Sequence, residues 1–178
     1  EEKLAAGVID DEDARRGLRN VAANGTVPLV AVVAFGMAPL VEAASTNWTV
    51  IAKLVFAGSV ATVTADTLSS EIGSVHGEPR LITTFEKVPK GTDGGVSWQG
   101  EAVVLLSSVL IGAVCVGTGF VGLSESVWVF LGGVGGAHAD SVLGATVEGS
   151  YRYVDNHVVN LTASVVGSTV SVLAYLLF

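Results

Sequence analysis

Apolar residues in this chain come in long, nearly unbroken runs. They show neither the alternation of a half-buried strand nor the one-sided stripe of a surface helix. A helix needs roughly 20 mostly apolar residues to cross a hydrocarbon core about 30 Å thick. Runs near residues 27–44, 49–70, 101–122, 127–147 and 157–178 reach or approach that length. The pattern predicts an all-α polytopic membrane bundle, a single transmembrane domain over 1–178 with about five spans. Polar stretches at 1–22 and 73–100 are expected outside the bilayer. Asp10, Asp11, Glu12 and Asp13 lead into Arg15, Arg16 and Arg19, acids before bases as a short helix prefers, so 1–22 is expected to hold an amphipathic surface helix.

Two of these runs contain the same twelve-residue phrase. Val55, Phe56, Gly58, Val60, Ala65 and Asp66 align without a gap on Val129, Phe130, Gly132, Val134, Ala139 and Asp140, and a hydroxyl residue follows each, Thr67 or Ser141. The alignment suggests an internal parallel repeat. A carboxylate at membrane depth is costly and usually faces a cavity or a partner, which makes it a functional-site candidate. Two at equivalent places point to one shared site.

Composition agrees with the periodicity. Half the residues are hydrophobic, mean hydropathy is +0.61 and only 15% are charged, against about 25% in soluble domains. The 22 glycines suit membrane helices that pack closely through small residues. The net charge of −8 argues against a nucleic-acid partner, which is met with clustered positive charge. The single Cys115 excludes an intrachain disulfide.

Lys and Arg fall in alternate loops. Lys3, Arg15, Arg16 and Arg19 precede the first span, Arg80, Lys87 and Lys90 lie between the second and third, and Arg152 lies between the fourth and fifth. By the positive-inside rule the N-terminus is cytoplasmic and the C-terminus outside. Lys53 breaks the pattern, near the outer end of its helix, where its side chain can snorkel. Asp66 and Asp140 then lie toward the cytoplasmic ends of their helices.

The 73–100 loop carries the second constellation. Gly91, Thr92, Asp93, Gly94 and Gly95 can turn successive amides inward into an anion-binding concavity. Arg80, Lys87 and Lys90 would surround that nest with positive charge, as a polyphosphate requires. Mg²⁺ prefers oxygen ligands and typically takes one or two carboxylates plus substrate phosphates. Asp66 with Thr67 and Asp140 with Ser141 are candidate ligands, and Glu71, Asp155, Asn156 and Asn160 could complete the site. His138 reads as a hydrogen-bonded packing residue rather than a metal ligand, and Glu101, Glu125 and Glu148 as helix-end charges.

The ordered motifs Asp66-Thr67-Ser70-Glu71-Gly73, Pro79-Arg80-Thr83 with Gly91-Thr92-Asp93-Gly94-Gly95-Val96-Ser97, Asp140-Ser141-Gly144-Ala145-Thr146, and Asn156-Asn160 resemble those of the transmembrane-protein-19-like integral membrane family. That family includes the plastid phytyl-phosphate kinase of vitamin E synthesis. The resemblance runs from about Arg15 to the C-terminus. It implies a membrane kinase of isoprenoid lipid metabolism, converting a prenyl monophosphate to the diphosphate with CTP or another nucleoside triphosphate and Mg²⁺. Asp66, Asp140 and Arg80 would be catalytic. Thr67, Ser70, Lys87, Lys90, the 91–95 loop, Ser97, Ser141, Asn156 and Asn160 would bind substrate and nucleotide, and Asp66, Glu71, Asp140 and Asp155 would hold metal. Family members generally have further N-terminal spans, so upstream helices are expected. A phosphate monoester is already an oxyanion near neutral pH, its second pKa being about 6, so this acceptor needs no dedicated base. A transporter or ion-coupled carrier, with its site at a repeat interface, and a nucleotidyltransferase acting on a lipid phosphate are the competing classes.

Overall fold

The computed structural model describes residues 17–41, 47–149 and 153–178. The expected surface helix at 1–22 lies mostly outside them, as do Lys3, Arg15, Arg16 and Arg152. The described residues form five helices, α1 (Leu18–Val41), α2 (Trp48–His76), α3 (Trp98–Gly117), α4 (Leu123–Thr146) and α5 (Asn156–Leu177). Between α2 and α3 lies a two-stranded antiparallel hairpin, β1 (Arg80–Leu81) and β2 (Gly95–Val96), with Arg80 opposite Val96 and Leu81 opposite Gly95. The protein is a polytopic helical membrane bundle. α1, α2, α3 and α5 are long and apolar enough to cross a membrane. α4 is long enough, but its glycines, His138 and Asp140 lower its apolarity.

The helices start and stop where capping chemistry allows. The Asn47 side chain accepts the Val50 amide to open α2, Ser97 accepts the Gly100 amide to open α3, and Asp155 accepts the His157 and Val158 amides to open α5. Two boundaries extend past the apolar runs. α1 begins at Leu18 and continues through Pro28 and Pro39, and α2 continues to His76. In both cases the added turns carry residues that line the cleft described below, Asn20 and Asn24 from α1 and Gly73 and Ser74 from α2.

Packing inverts the pattern of a soluble protein. Ser59, Ser108, Ser164, Ser171 and Thr62 are fully buried beside Leu54, Ala57, Ala61 and Val129, whereas Leu106, Leu110 and Leu173 face outward. Lipid tails are as apolar as leucine, so burying large apolar groups gains little, and close approach of small residues holds such helices together. α2 is central and touches all four other helices, and α4 and α5 share the most extensive contact. Hydroxyls stitch the seams: Thr62 Oγ1 donates to the Gly132 carbonyl across 3.2 Å, and Ser168 Oγ to the Val55 carbonyl across 3.0 Å. Gly58 and Gly132, equivalent in the two phrases, both abut Ser171 of α5, where neither has room for a Cβ.

Candidate functional site

Because successive helices alternate in direction, the start of α1, the end of α2, the start of α3, the end of α4 and the start of α5 meet at one end of the bundle. There they enclose a cleft of about 590 Å³. Its lining is polar. Asn20 and Asn24 come from α1, Asp66, Thr67 and Ser70 from α2, Glu101 from α3, His138, Asp140 and Ser141 from α4, and His157 and Asn160 from α5. The loop over residues 91–97 closes one side.

Asp66 and Asp140 meet within it. Their side chains are in hydrogen-bonding reach of each other and their charges oppose directly. Asp140 Oδ2 is buried and bonded to no protein group. Like charges this close are relieved by a cation or a shared proton. Such a pair can share a proton or hold a divalent metal.

The glycine loop reaches this pair through backbone close approach. Gly94 has φ +72°, in the region that favours glycine, and its Cα lies against the Ser141 carbonyl and the Ala145 amide of α4. Gly144 reciprocates, since a Cβ there would stand 2.9 Å from the Gly94 nitrogen. Ile82 N donates to the Gly94 carbonyl at 3.0 Å and Gly95 N to the Thr92 carbonyl at 2.9 Å, so the hairpin fixes the loop from behind.

Of the residues expected from sequence, Asp66, Thr67, Ser70, Gly91, Thr92, Asp93, Gly94, Gly95, Ser97, Asp140, Ser141, Asn156 and Asn160 line this one cleft. Arg80, Lys87, Lys90, Glu71 and Asp155 do not. Arg80 Nη1 donates to the Phe85 carbonyl at 2.8 Å within the hairpin. Lys87 pairs with Glu78 at 2.9 Å on the surface, which holds the Glu78 carboxyl below its usual range. Lys90 donates to the Val75 carbonyl. Asp155 serves as the α5 cap. Among the described residues no Lys or Arg lines the cleft, and no three of His, Cys, Asp and Glu gather closely enough to hold a metal on protein ligands alone.

Several lining residues escaped the sequence reading. His138 is hydrogen-bonded between helices, as expected, but it also borders the cleft: its Nε2 lies 3.1 Å from Glu101 Oε2 and its Nδ1 lies 2.8 Å from the Val134 carbonyl, clasping α4 to α3. Glu148, just past α4, is pushed up to about 7 by burial first and then by Asp93, against the stabilising contact of Asn156. Asp93 keeps an exposed edge, but partial burial beside Gly144 raises its carboxyl too. Asn20 and Asn24 repeat the four-residue spacing of Asn156 and Asn160, a signal that could have found them.

The sequence profile described as integral membrane protein DUF92 matches residues 1–168. The chain belongs to the DUF92 family. Among DUF92 relatives, an uncharacterized membrane protein of Methanocaldococcus jannaschii is 39% identical over 166 residues, covering 90% of this chain and 63% of that protein. An uncharacterized membrane protein of Synechocystis is 29% identical over 174 residues, 96% of this chain and 64% of that protein. The chloroplastic protein VTE6 of Arabidopsis thaliana is 31% identical over 175 residues, 97% of this chain and 51% of that protein. The chain thus spans about half to two thirds of the length of these relatives. No solved structure matches it. The entire cleft lining falls within residues 17–160, inside the segment that the family profile matches.

Proposed function

We propose that this DUF92 protein is a membrane-embedded kinase that converts an isoprenyl monophosphate, phytyl-like in character, to its diphosphate using a nucleoside triphosphate, CTP being the first candidate, with Mg²⁺. The reading is supported by family membership, by the resemblance to the family of the plastid phytyl-phosphate kinase, and above all by the Asp66–Asp140 pair under a glycine loop. The orphaned Asp140 Oδ2 and the opposed carboxyls fit a divalent cation. Asp66 and Asp140 would hold it, with phosphates and water as its remaining ligands.

Bound there, the metal would neutralise charge on the transferring phosphoryl group. Phosphoryl transfer depends mostly on positioning and electrostatics, and the chain supplies the positioning. The 91–95 loop, latched to α4 at Gly94, borders the same cleft as the carboxyl pair, as do Thr67 and Ser141, which follow each aspartate in sequence. With Arg80, Lys87 and Lys90 engaged in and around the hairpin, phosphate binding in this acidic cleft rests on the metal. The N-terminal and active face would be cytoplasmic and the C-terminus outside, following the alternation of positive loops.

Among the described residues, the carboxylates and amides of the cleft lie together at one end of the bundle, while most hydroxyls deeper in the core bond to backbone carbonyls, which favours an enzyme over a carrier. The deciding experiment incubates purified full-length protein with Mg²⁺, a panel of nucleoside triphosphates and prenyl monophosphates, and identifies lipid products by mass. Prenyl diphosphate is expected. A lipid that retains the nucleotide would make it a nucleotidyltransferase, and substrate flux in proteoliposomes without nucleotide consumption would make it a carrier.

A further inference from the structure

Beside the carboxyl pair the cleft carries an uncharged constellation of a different kind. Asn20 and Asn24 lie one turn apart on α1, and Asn156 and Asn160 one turn apart on α5. Asn160 Nδ2 faces Asn20 Oδ1 at 3.4 Å and Asn156 Oδ1 at 3.4 Å, and Asn24 Nδ2 faces Asn20 Oδ1 at 3.4 Å. All are long beside the usual N–H···O separation of about 2.9–3.0 Å. Asn160 Oδ1 and the neighbouring His157 Nδ1 are buried with no protein partner. Pro28 has no N–H to return to the Asn24 carbonyl, so that acceptor is also released from the helix ladder.

Asparagines between membrane helices often serve only as polar glue. Glue closes its bonds, because a buried acceptor left unpaired is costly. Here the bonds are stretched and two buried polar atoms, one of them an acceptor, are left over, all in residues that line the cleft. Amides carry no charge and hold a metal or a phosphate less strongly than carboxylates or lysines do. They present a donor and an acceptor side by side, the pattern that matches the edge of a nucleobase. Asn156 also reaches Glu148, and the amides line the same cleft as Asp66 and Asp140. A neutral hydrogen-bonding subsite next to a metal-binding subsite is what a base covalently joined to a triphosphate would require.

We propose that Asn20, Asn24, Asn156 and Asn160, with His157, form the base-binding subsite of the donor nucleotide. The proposal rests on the reading of this cleft as nucleotide-dependent, and it assigns α1 a part in donor selection.

The test measures binding to the full chain in nanodiscs, by calorimetry, of the Mg²⁺ complexes of CTP, UTP, ATP and GTP against Mg²⁺ tripolyphosphate, which has no base. One nucleotide should bind at least about tenfold more tightly than tripolyphosphate, the scale of one good bidentate base contact. Asn160→Ala and Asn20→Ser should each shrink that ratio severalfold and leave tripolyphosphate affinity unchanged. Asn20→Ser, on the less embedded helix, decides the matter if Asn160→Ala does not fold. Equal affinity of the wild type for tripolyphosphate and every nucleotide would overturn the proposal, as would variants that keep the ratio or lose both ligands alike. Base-dependent binding without formation of any prenyl diphosphate would instead reject the kinase reading and leave the subsite standing.

Discussion

Gly94 is pressed against Ala145: a Cβ built on the glycine would stand 2.5 Å from the alanine Cβ and 2.5 Å from the Ser141 carbonyl oxygen. With φ at +72° the position is restricted twice, by the backbone conformation and by the lack of space. The latch falls one turn beyond Asp140, so the loop and the carboxyl pair are built as one unit.

Gly94→Ala should therefore unlatch the loop. A non-glycine residue in this conformation costs on the order of 1–3 kcal/mol, and the clash adds to it. Hydrogen exchange at 91–97 should accelerate while α2, α4 and α5 keep their protection, and the KM for donor should rise more than that for acceptor. Unchanged exchange in the loop would show that the latch does not hold it.

Neutralising one member of the carboxyl pair separates catalysis from folding. Asp66→Asn or Asp140→Asn removes the repulsion between them, so without divalent metal each variant should melt at or above the wild-type temperature. The wild type should gain stability as Mg²⁺ and nucleotide are added, as a ligand that binds only the folded state requires, and the variants should lose this gain together with turnover. A variant that still gains with Mg²⁺ and nucleotide would exclude the pair as the metal site.

The architecture was legible because membrane spans are long and their apolar runs unmistakable, and because Asp66 and Asp140 are conspicuous in such surroundings. What escaped the reading was set by tertiary contact. Arg80, Lys87 and Lys90 share the loop with Gly91–Gly95 in sequence, but hairpin register turns them toward Phe85, Glu78 and Val75. His138 and Glu101 are 37 positions apart, and only the antiparallel arrangement of α3 and α4 brings them to 3.1 Å. Asn20 lies upstream of the first apolar run, where a hydropathy reading ends the span before reaching it.

Glu148 makes stability depend on pH. Its folded value of about 7 lies above the ordinary 4.5, so the folded state binds the proton more tightly than the unfolded state does. Its contribution is full below about pH 4.5 and is lost as pH rises through about 7. Glu148→Gln should flatten the stability profile across that window and be more stable than the wild type at pH 8. Thermal melts of both proteins from pH 4.5 to 8 in nanodiscs provide the check, and parallel profiles would rule out a shifted Glu148.

The two glycines that meet Ser171 give a test of how the helices are packed. Gly58 and Gly132 both leave no room for a Cβ beside Ser171 Oγ, but they differ in what lies behind it. The Gly167 carbonyl oxygen would be 3.2 Å from a Cβ at Gly58 and only 2.6 Å from one at Gly132. A side-chain obstacle can be removed by mutation, whereas a backbone carbonyl can be relieved only by moving the helix. Gly58→Ala and Gly132→Ala should each destabilise the bundle by about 1–3 kcal/mol, the usual cost of overpacking. Adding Ser171→Gly should restore most of the loss for Gly58→Ala and much less for Gly132→Ala. Equal rescue of both would mean that α4 and α5 yield at this crossing, and that Gly132 matters only for the space occupied by a serine.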